Sequence, residues 1–311
     1  MQKNSSKFPI EIVTDIFGES NVLADLVGDR KVLIVADMNV VNHAANIGTR
    51  IGSYVNNHHL ALAGSPVVLG GGERAKMDNF QSAMRVADTA LRMGLTNEDF
   101  ILAIGGGAVL DVASWSAAQV GGGVKLIRVP TTPASMCGGA YSPSAGLNLL
   151  RVKDAIRVTS IPEAVLVDFD FAPSVLEGVW RAGIAEAVRV AAAHDIKVLK
   201  KIQPLVEAYR KQDLDAFREI ATLAINLYKK KGWTDFSLDI SRPLEPRSGW
   251  KLPNGYAITI GILIAMYQAV QAGERKQEEL DLVIDILRVS GAIDGARHSK
   301  HILPHELAVF W

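Results

Sequence analysis

Cysteine, net charge and long apolar runs are all scarce in this chain of 311 residues. The single cysteine, Cys137, rules out an intramolecular disulfide and fits a reducing compartment. The 33 Lys and Arg residues balance 33 Asp and Glu residues, so no basic field favours nucleic acid or an anionic membrane as a partner. The longest apolar stretch, at 256–270, is interrupted by Thr259 and Gln268 and is too short to span a bilayer. Because the first residues also lack an apolar signal core, we expect a cytoplasmic protein.

The 311 residues are enough for one large domain or two of ordinary size. The hydrophobic fraction of 49% is enough to form a core. Short apolar runs of strand type occur at 9–13, 31–36, 66–69, 100–104, 124–130 and 164–167. Helical patterns occur at 77–93 and then, without further strands, at 180–194, 196–209, 214–231, 256–272 and 277–290. Alternating strands and helices predict a mostly parallel sheet with right-handed crossovers. We therefore predict an α/β, Rossmann-like domain over residues 1–170, an all-α domain over residues 171–311, and a ligand cleft between them.

Three consecutive glycines, Gly105 to Gly107, follow the apolar run at 100–104 and precede an Ala-rich helix. Glycine lets the backbone turn tightly and approach a ligand closely, since no Cβ intervenes. The helix N-terminus that follows offers free N–H groups and a positive dipole end, which suit a phosphate group. Asp111, one turn into this helix, is placed to reach back toward the turn or a bound hydroxyl. Tight packing of the turn explains the same glycines equally well.

Polar or glycine-rich segments follow two other strands. Asp37 and Asn39 follow the strand at 31–36, and a second glycine turn with Glu73 and Lys76 follows the strand at 66–69. In a doubly wound sheet the carboxyl ends of the strands lie at one edge, where ligands bind. We therefore expect these segments to line one rim together with the triple glycine. An Asx turn or a helix cap is the alternative role for Asp37 and Asn39.

The polar segments belong to a larger set of motifs: Asp37-x-Asn39, Gly71-Gly72-Glu73-x-x-Lys76, Gly105-Gly106-Gly107-x-x-x-Asp111, Pro130-Thr131-Thr132 and Arg181-Ala182-Gly183-x-x-Glu186-x-x-Arg189. In order and spacing this set resembles the 3-dehydroquinate synthase family of sugar phosphate cyclases over residues 8–199, with a weaker continuation to about residue 273. The segments 180–188 and 235–244 are most similar to the branch that cyclises sedoheptulose 7-phosphate, the valiolone-type synthases. The resemblance implies a dehydroquinate synthase-like fold.

The resemblance also implies an NAD-dependent cyclase that forms a carbocycle from a small sugar phosphate. Family enzymes oxidise a substrate hydroxyl, eliminate phosphate, reduce the ketone again and close the ring by an aldol step, so NAD is regenerated in each turnover. The family's cofactor contacts fall on Asp37, Asn39, Glu73, Lys76, Gly106, Gly107, Asp111, Thr131, Thr132 and Ser174. The expected assembly is a homodimer, or a heterodimer with an active homologue.

The family's divalent metal, usually zinc, is held by a glutamate and two histidines, and only the glutamate, Glu186, is matched here. The segment 246–248 replaces the phrase that carries the first histidine, and Asn254 stands in place of the second. Zinc prefers nitrogen and sulfur ligands, so one carboxylate with an amide is a poor ligand set. We therefore predict that zinc is not bound tightly. An ion pair with Arg189 is the alternative role for Glu186.

The substrate half departs from the family pattern in further places. No lysine or aspartate occurs between Thr132 and Lys153, and Asp154 replaces an asparagine. Arg189 replaces a helix lysine that helps to bind substrate, which keeps the charge but changes the geometry. The candidate catalytic residues are Lys153, Arg189 and Arg242, and Arg157 and Arg247 are further candidates for binding phosphate. The chain also ends short of the family's usual C-terminal helices.

Two functions remain open from the sequence. The first is an NAD-dependent sugar phosphate cyclase with altered or reduced activity; the second is a catalytically inactive, NAD-binding relative that acts as a partner or regulatory subunit. Cys137 is predicted to be a small buried thiol rather than a nucleophile, because no histidine lies near it in sequence. His298, His301 and His305 are not spaced as a metal site, since Pro304 intervenes.

Overall fold

The computed structural model of the protein describes residues 8–297. The strands are β1 (Ile10–Val13), β2 (Lys31–Asp37), β3 (Ala61–Leu62), β4 (Val67–Leu69), β5 (Phe100–Gly105), β6 (Lys125–Pro130), β7 (Ser144–Leu149), β8 (Val152–Thr159) and β9 (Ala164–Asp168). The main sheet has the order β1-β9-β6-β5-β2-β3. The strand β4 also pairs with β2, at residues 35–37, whereas the short β3 pairs with residues 31–32 at the start of β2. All pairings in this sheet are parallel, which confirms the predicted α/β fold with a mostly parallel sheet.

The central position of β5 follows from its sequence. Every residue from Phe100 to Gly105 is buried, because β5 pairs with β2 on one side and β6 on the other while helices cover its faces. The strand β1 lies at the sheet edge next to β9, with Ile10 and Val13 buried and Glu11 and Ile12 exposed, so its burial does not alternate strictly. The sheet therefore carries the ends of β2, β4, β5 and β6 to one side of the molecule.

The helices are α1 (Val22–Val27), α2 (Met38–His43), α3 (Ile47–Asn57), α4 (Gln81–Arg92), α5 (Gly107–Gln119), α6 (Pro133–Cys137), α7 (Glu177–His194), α8 (Lys197–Ile202), α9 (Val206–Arg210), α10 (Leu214–Lys231), α11 (Leu238–Ser241), α12 (Leu244–Arg247), α13 (Asn254–Gln271), α14 (Gln277–Val289) and α15 (Ala292–Arg297). Short 3₁₀ turns occupy Gly72–Lys76, Gly139–Tyr141, Phe169–Ser174 and Gln203–Leu205. From residue 180 to residue 297 only helices occur, as predicted.

Two of the helix predictions were wrong in their bounds. The expected helix at 196–209 is divided into α8 and α9 by a 3₁₀ turn that contains Pro204, whose ring removes a backbone N–H. The expected helix at 77–93 begins only at Gln81, because Phe80 at its N-cap has a left-handed φ of 68°. A helix forms in both places, and the local backbone decides where each begins and ends. The apolar face expected for the helix at 77–93, through Met84 and Leu91, was wrong, since both side chains are exposed and α4 packs through Ala83, Val86, Ala87 and Ala90.

The hairpin of β7 and β8 was not predicted. Its two-residue turn, Leu150-Arg151, has positive φ at both positions, 48° and 61°. Such turns are normally made by Asn-Gly or Asp-Gly, so the usual sequence signal for a tight hairpin is missing. The hairpin lies over the helix α5 and beside the carboxyl ends of the strands. It therefore adds side chains to the ligand cleft that strand-end reasoning did not supply.

A single cluster of buried apolar side chains joins the sheet to α7, α10 and α14. Phe169, just after β9, packs edge-on against Phe217 of α10 with ring centroids 5.7 Å apart. The proposed division of the chain at residue 170 stays a prediction. Within residues 8–297, no helix is both long and apolar enough to cross a membrane.

The contact between α6 and α7 depends on Gly183. A Cβ at this position would lie 2.4 Å from Pro133 Cβ and 3.0 Å from the Ala134 nitrogen. We expect Gly183→Ala to lower the free energy of unfolding by about 1 to 3 kcal/mol, because the packed neighbours must move. Urea denaturation measures this change.

Gly178→Ala in the same helix is the matched control. Gly178 is exposed, and its new Cβ would approach only Tyr256 Oη, at 3.6 Å. Alanine there should leave stability unchanged or raise it by up to about 1 kcal/mol through helix propensity. Equal stabilities of the two variants would contradict the proposed close packing at Gly183.

Candidate functional site

A cleft of about 640 Å³ opens at the carboxyl ends of the strands, between the sheet, the hairpin and the helical half. All ten residues predicted to bind cofactor line it: Asp37, Asn39, Glu73, Lys76, Gly106, Gly107, Asp111, Thr131, Thr132 and Ser174. Lys153, Arg242 and Glu186 line it as well, whereas Arg189 lies beneath its surface. The tertiary structure thus brings together segments that lie up to about 200 residues apart in sequence. Their assignment as ligand contacts stays a prediction.

The glycines after the strands leave open space in this cleft. A Cβ at Gly107, the first residue of α5, or at Gly72 would meet no atom within 4 Å, and both residues line the cleft. A Cβ at Gly106 would instead lie 3.0 Å from Thr132 Cγ2. Within the triple glycine, Gly106 is therefore explained by close packing, and Gly107 leaves space for a ligand. We call the ends of β2, β4, β5 and β6 with these glycines the cofactor rim.

Asp37 has a local structural role. Its Oδ1 accepts a 2.8 Å hydrogen bond from the Asn39 N–H and caps the helix α2, which confirms the helix-cap interpretation. Burial raises the pKa of this carboxyl, while hydrogen bonds from the backbone at Asn39 and Gly106 lower it. The two loops meet closely, since a Cβ at Gly71 would lie 1.9 Å from Asn39 Nδ2. The cap holds Asp37 and Asn39 against the rim.

Lys76 is enclosed by carboxylates. Its Nζ lies 2.6 Å from Asp111 Oδ2 and also contacts Asp154 Oδ1, and its side chain is 2% exposed. Burial alone would lower the pKa of Lys76, but the carboxylates, chiefly that of Asp111, hold it above its usual value. Lys76 is therefore a permanently charged group whose bonds cross from the cofactor rim to the hairpin.

Lys153 on β8 connects three parts of the structure. Its Nζ lies 3.0 Å from Glu73 Oε1 and contacts Glu245 Oε1, and its side chain is 6% exposed. Glu73 also accepts a 2.8 Å bond from Asn148, and Glu245 accepts one of 2.8 Å from Asn254. We call this arrangement the Glu73–Lys153–Glu245 chain; it links the cofactor rim, the hairpin and the helical half.

The charge state of Lys153 limits what it can do chemically. Burial would lower its pKa, but Glu73 and Glu245 raise it above the usual value. A lysine that stays protonated donates hydrogen bonds and stabilises negative charge, and it does not act as a general base.

Arg242 makes ion pairs with three carboxylates. Its guanidinium lies 3.5 Å from Asp154, 3.3 Å from Asp235 and 3.4 Å from Asp239. The Asp235 and Asp239 side chains are 57% and 94% exposed, whereas that of Asp154 is 14% exposed. Asp154 is therefore the partner on the cleft side, where solvent screening is weakest.

Glu186 is bound by Arg189, as the ion-pair alternative predicts. Arg189 Nε donates to Glu186 Oε2 at 2.9 Å, and the guanidinium also donates to the Thr234 carbonyl at 2.6 Å and to Tyr228 Oη at 3.1 Å. The Arg189 side chain is completely buried, and its guanidinium lies over the Trp233 ring at 5.1 Å. All of these contacts are internal, so the role of Arg189 in the structure is to neutralise Glu186 from below the cleft. A catalytic role for Arg189 stays a prediction.

The residues present do not fit a zinc ion. Asn254, where the second histidine is expected, donates its amide N–H group to Glu245 instead of presenting a free nitrogen. Within residues 8–297 no three His, Cys, Asp or Glu side chains are grouped so that they could hold a metal. A carboxylate already bound by a guanidinium is a weak single ligand. His298, His301 and His305 lie outside the described residues.

Sequence reasoning missed Asn148, Glu245 and Trp250. Asn148 lies on the unpredicted hairpin and binds Glu73, whereas Glu245 and Trp250 line the cleft from the helical half. The signal for the hairpin was the alternation of Ile156 and Val158 with polar neighbours. No local pattern marks Glu245, since its importance arises from the contact with Lys153, 92 positions away in sequence.

Cys137 lies below the cleft and is completely buried. Burial, and then the nearby Glu186 carboxylate, raise the pKa of its thiol. Because the thiolate is the nucleophilic form, we expect iodoacetamide at pH 8 to leave the native protein unmodified and to label it fully after unfolding in urea. Intact-mass spectrometry measures both states. Rapid labelling of the native protein would contradict this placement and revive the nucleophile hypothesis.

The sequence of the chain is similar to those of 3-dehydroquinate synthases. Residues 66–180 match the family model described as 3-dehydroquinate synthase N-terminal. A 3-dehydroquinate synthase of Sulfurisphaera tokodaii is 25% identical over 278 residues, which cover 80% of this chain and 78% of the relative. The chain is thus similar to the 3-dehydroquinate synthase family of sugar phosphate cyclases, through the N-terminal family model and through relatives matched over most of its length.

Solved structures support the fold. The chain is similar to ValA, a 2-epi-5-epi-valiolone synthase from Streptomyces hygroscopicus subsp. jinggangensis solved with NAD+ and Zn2+ bound, with a TM-score of 0.78 at 20% identity over 97% of this chain and 89% of that one. It is also similar to a 2-deoxy-scyllo-inosose synthase solved with carbaglucose-6-phosphate, NAD+ and Co2+, with a TM-score of 0.67 at 19% identity over 96% and 86%. These likenesses show that the chain has the fold of these two synthases.

Proposed function

We propose that this protein is an NAD-dependent sugar phosphate cyclase with altered or reduced activity, nearest to the valiolone-type synthases. The observation that carries the proposal is the cofactor rim, where ten predicted contacts surround one cleft and the glycines leave space along it. Two structures similar in fold have NAD+ bound. A bound NAD would supply the hydride acceptor for oxidation at the carbon that bears a substrate hydroxyl, and the hydride donor for the later reduction.

The rim residues suit a dinucleotide in chemical terms. The start of α5 presents backbone N–H groups beside Gly106 and Gly107 for a pyrophosphate, since the first N–H groups of a helix have no partner within it. The hydroxyls of Thr131 and Thr132 and the carboxylate of Asp111 are hydrogen-bonding groups for ribose hydroxyls. Ser174 lines the same cleft from the 3₁₀ turn after β9.

The substrate side offers donors rather than a metal. Lys153 remains protonated, so its ammonium group polarises a substrate oxygen and stabilises the charge that develops on it. Arg157 and Lys251 line the cleft and have no carboxylate partner among the described residues. They are therefore the cations we assign to the phosphate of a sugar phosphate, through charge-assisted hydrogen bonds.

A specific observation favours the second candidate, a catalytically inactive NAD-binding partner or regulatory subunit. Glu186 is neutralised by Arg189, and Lys76, Lys153 and Arg242 are each occupied by carboxylates. A substrate pocket whose charges are already paired gains less from an anionic substrate. Such a protein would assemble with itself or with an active homologue.

The deciding experiment incubates metal-stripped protein with NAD and sedoheptulose 7-phosphate and measures inorganic phosphate, with and without added zinc. The proposed function requires phosphate release above that of a no-enzyme control, at a rate that zinc does not change. No release, together with calorimetric NAD binding, would support the inactive partner. Release only with zinc would overturn the metal-free site, and absence of NAD binding would overturn both candidates.

A further inference from the structure

Among residues 8–297, Asp154 is the one carboxylate of the cleft that makes ion pairs with cations from both halves of the protein. Its Oδ1 contacts Lys76 Nζ on the cofactor rim, and its Oδ2 lies 3.5 Å from Arg242 Nε in the helical half. Its side chain is 14% exposed, while that of Lys76 is 2% exposed. A phosphate group bound between these cations would need the position that this carboxylate fills.

The backbone holds Asp154 firmly in this position. Its N–H donates to Asn148 Oδ1 at 2.9 Å, across the hairpin. Its φ is 52°, in the left-handed region that aspartate and asparagine tolerate better than most residues. The opposing strand makes room with Gly146, where a Cβ would lie 2.6 Å from Asp154 Cβ. The carboxylate is therefore positioned by the fold rather than by a mobile side chain.

Each cation keeps another partner when Asp154 is set aside. Lys76 retains Asp111 at 2.6 Å, and Arg242 retains Asp235 and Asp239 at the surface. Asp154 is thus not needed to neutralise either cation. Burial pushes the pKa of its carboxyl upwards, but Lys76 and then Lys153 hold it below the usual value, so the group stays ionised.

We propose that the Asp154 carboxylate acts as a built-in anion, which occupies the Lys76–Arg242 pair and excludes a substrate phosphate from it. Asp154 is therefore a specificity-determining residue: a second anion placed beside it meets like-charge repulsion in a poorly screened site. The inference rests on the proposed function in taking the ligand to be a sugar phosphate. If Asp154 excludes the phosphate from the Lys76–Arg242 pair, the phosphate binds to the other cations of the cleft, Arg157 and Lys251.

The test is calorimetric titration of inorganic phosphate into Asp154→Asn and wild-type protein, each with and without saturating NAD. Asparagine has nearly the same shape as aspartate and removes only the charge. We expect Asp154→Asn to bind phosphate about tenfold more tightly than wild type, or better, because two charge-assisted contacts become available. Adding Arg242→Gln should abolish that gain, and Arg242→Gln in the wild-type background should change the affinity less than about twofold, because the guanidinium is already occupied.

Asp239→Asn is the matched control. It removes the same charge from another partner of Arg242, but at a side chain that is 94% exposed. We expect it to change phosphate affinity less than about twofold, since solvent screens that site. An equal gain in both variants would overturn the proposal by showing a general charge effect.

Three other results would also overturn the inference. The first is unchanged phosphate affinity in a folded Asp154→Asn protein. The second is a large loss of phosphate affinity in Arg242→Gln in the wild-type background. The third is a higher affinity of Asp154→Asn for NAD, with no higher affinity for phosphate once NAD is saturating. The last result would assign the anion position to the cofactor's pyrophosphate. If Asp154→Asn does not fold, Arg242→Gln in the wild-type background still tests the inference. A change in phosphate affinity below about twofold supports it, and a large loss overturns it. None of these measurements needs turnover, so failure of the cyclase assay and failure of this inference are separate outcomes.

Discussion

Replacing Lys153 by methionine should lower the free energy of unfolding by about 3 to 5 kcal/mol, because Glu73 and Glu245 lose the cation between them. Both carboxylates lie in the cleft wall, and the Glu245 side chain is only 2% exposed. Methionine keeps most of the side-chain volume, so the loss reports charge rather than a cavity. Guanidinium chloride denaturation measures it from the shift in midpoint.

Lys251→Met is the control for this experiment. Lys251 also lines the cleft, but it is exposed and has no carboxylate partner among the described residues. Its replacement should change stability by less than about 0.5 kcal/mol. The double variant Lys153→Met/Glu245→Gln should recover part of the loss, since one unpaired carboxylate is removed. A loss below about 1 kcal/mol for Lys153→Met would mean that the chain of charges is hydrated and contributes little.

Lys76→Ala should weaken NAD binding at least about hundredfold, beyond the range of a standard calorimetric titration. The change removes a buried cation from the cofactor rim and leaves Asp111 facing an anionic dinucleotide without its ion-pair partner, while Asp154 keeps only Arg242. Sugar phosphate turnover should be lost with it. A thermal unfolding scan in the absence of NAD confirms that the variant is folded at the titration temperature.

The control is Arg74→Ala, in the same 3₁₀ turn. Arg74 lines the cleft but is exposed and has no ion pair among the described residues, so its loss removes the same formal charge from the same loop. We expect less than about a fivefold change in NAD affinity, since an exposed charge is screened. Similar effects of the two substitutions would mean that the rim attracts NAD only through its overall charge. Unchanged affinity in Lys76→Ala would remove Lys76 from the cofactor site.

The cofactor rim was predictable because its parts are local. An apolar run followed by glycines, or by Asp37 and Asn39, identifies a strand and its end, and parallel strands place their ends together. The order of the strands in the sheet does not enter that argument. This is why the strand-end residues share one cleft, whereas Ser174 was assigned to it from the family resemblance.

The hairpin was beyond local reasoning because its signals are atypical. Leu150-Arg151 makes a turn of a type that usually needs Asn-Gly, and the exposed residues of β8 give only weak alternation. The packing of the hairpin over α5, and not its turn chemistry, keeps it in place. Asn148, Lys153 and Asp154 are therefore brought to the cleft by tertiary contacts.

By itself the sequence determined the parallel sheet, the helical second half and the strand-end segments of the cofactor rim, since each depends on residue type and short-range spacing. The absence of the two metal-binding histidines followed from the family resemblance. Only the tertiary structure decided how the charges are paired. Glu73 meets Asn148 across 75 positions, Lys76 meets Asp154 across 78, and Lys153 meets Glu245 across 92. Coulomb energies depend on distance and burial, which no sequence spacing specifies, so the balance between binding a phosphate and excluding it was decided by the fold.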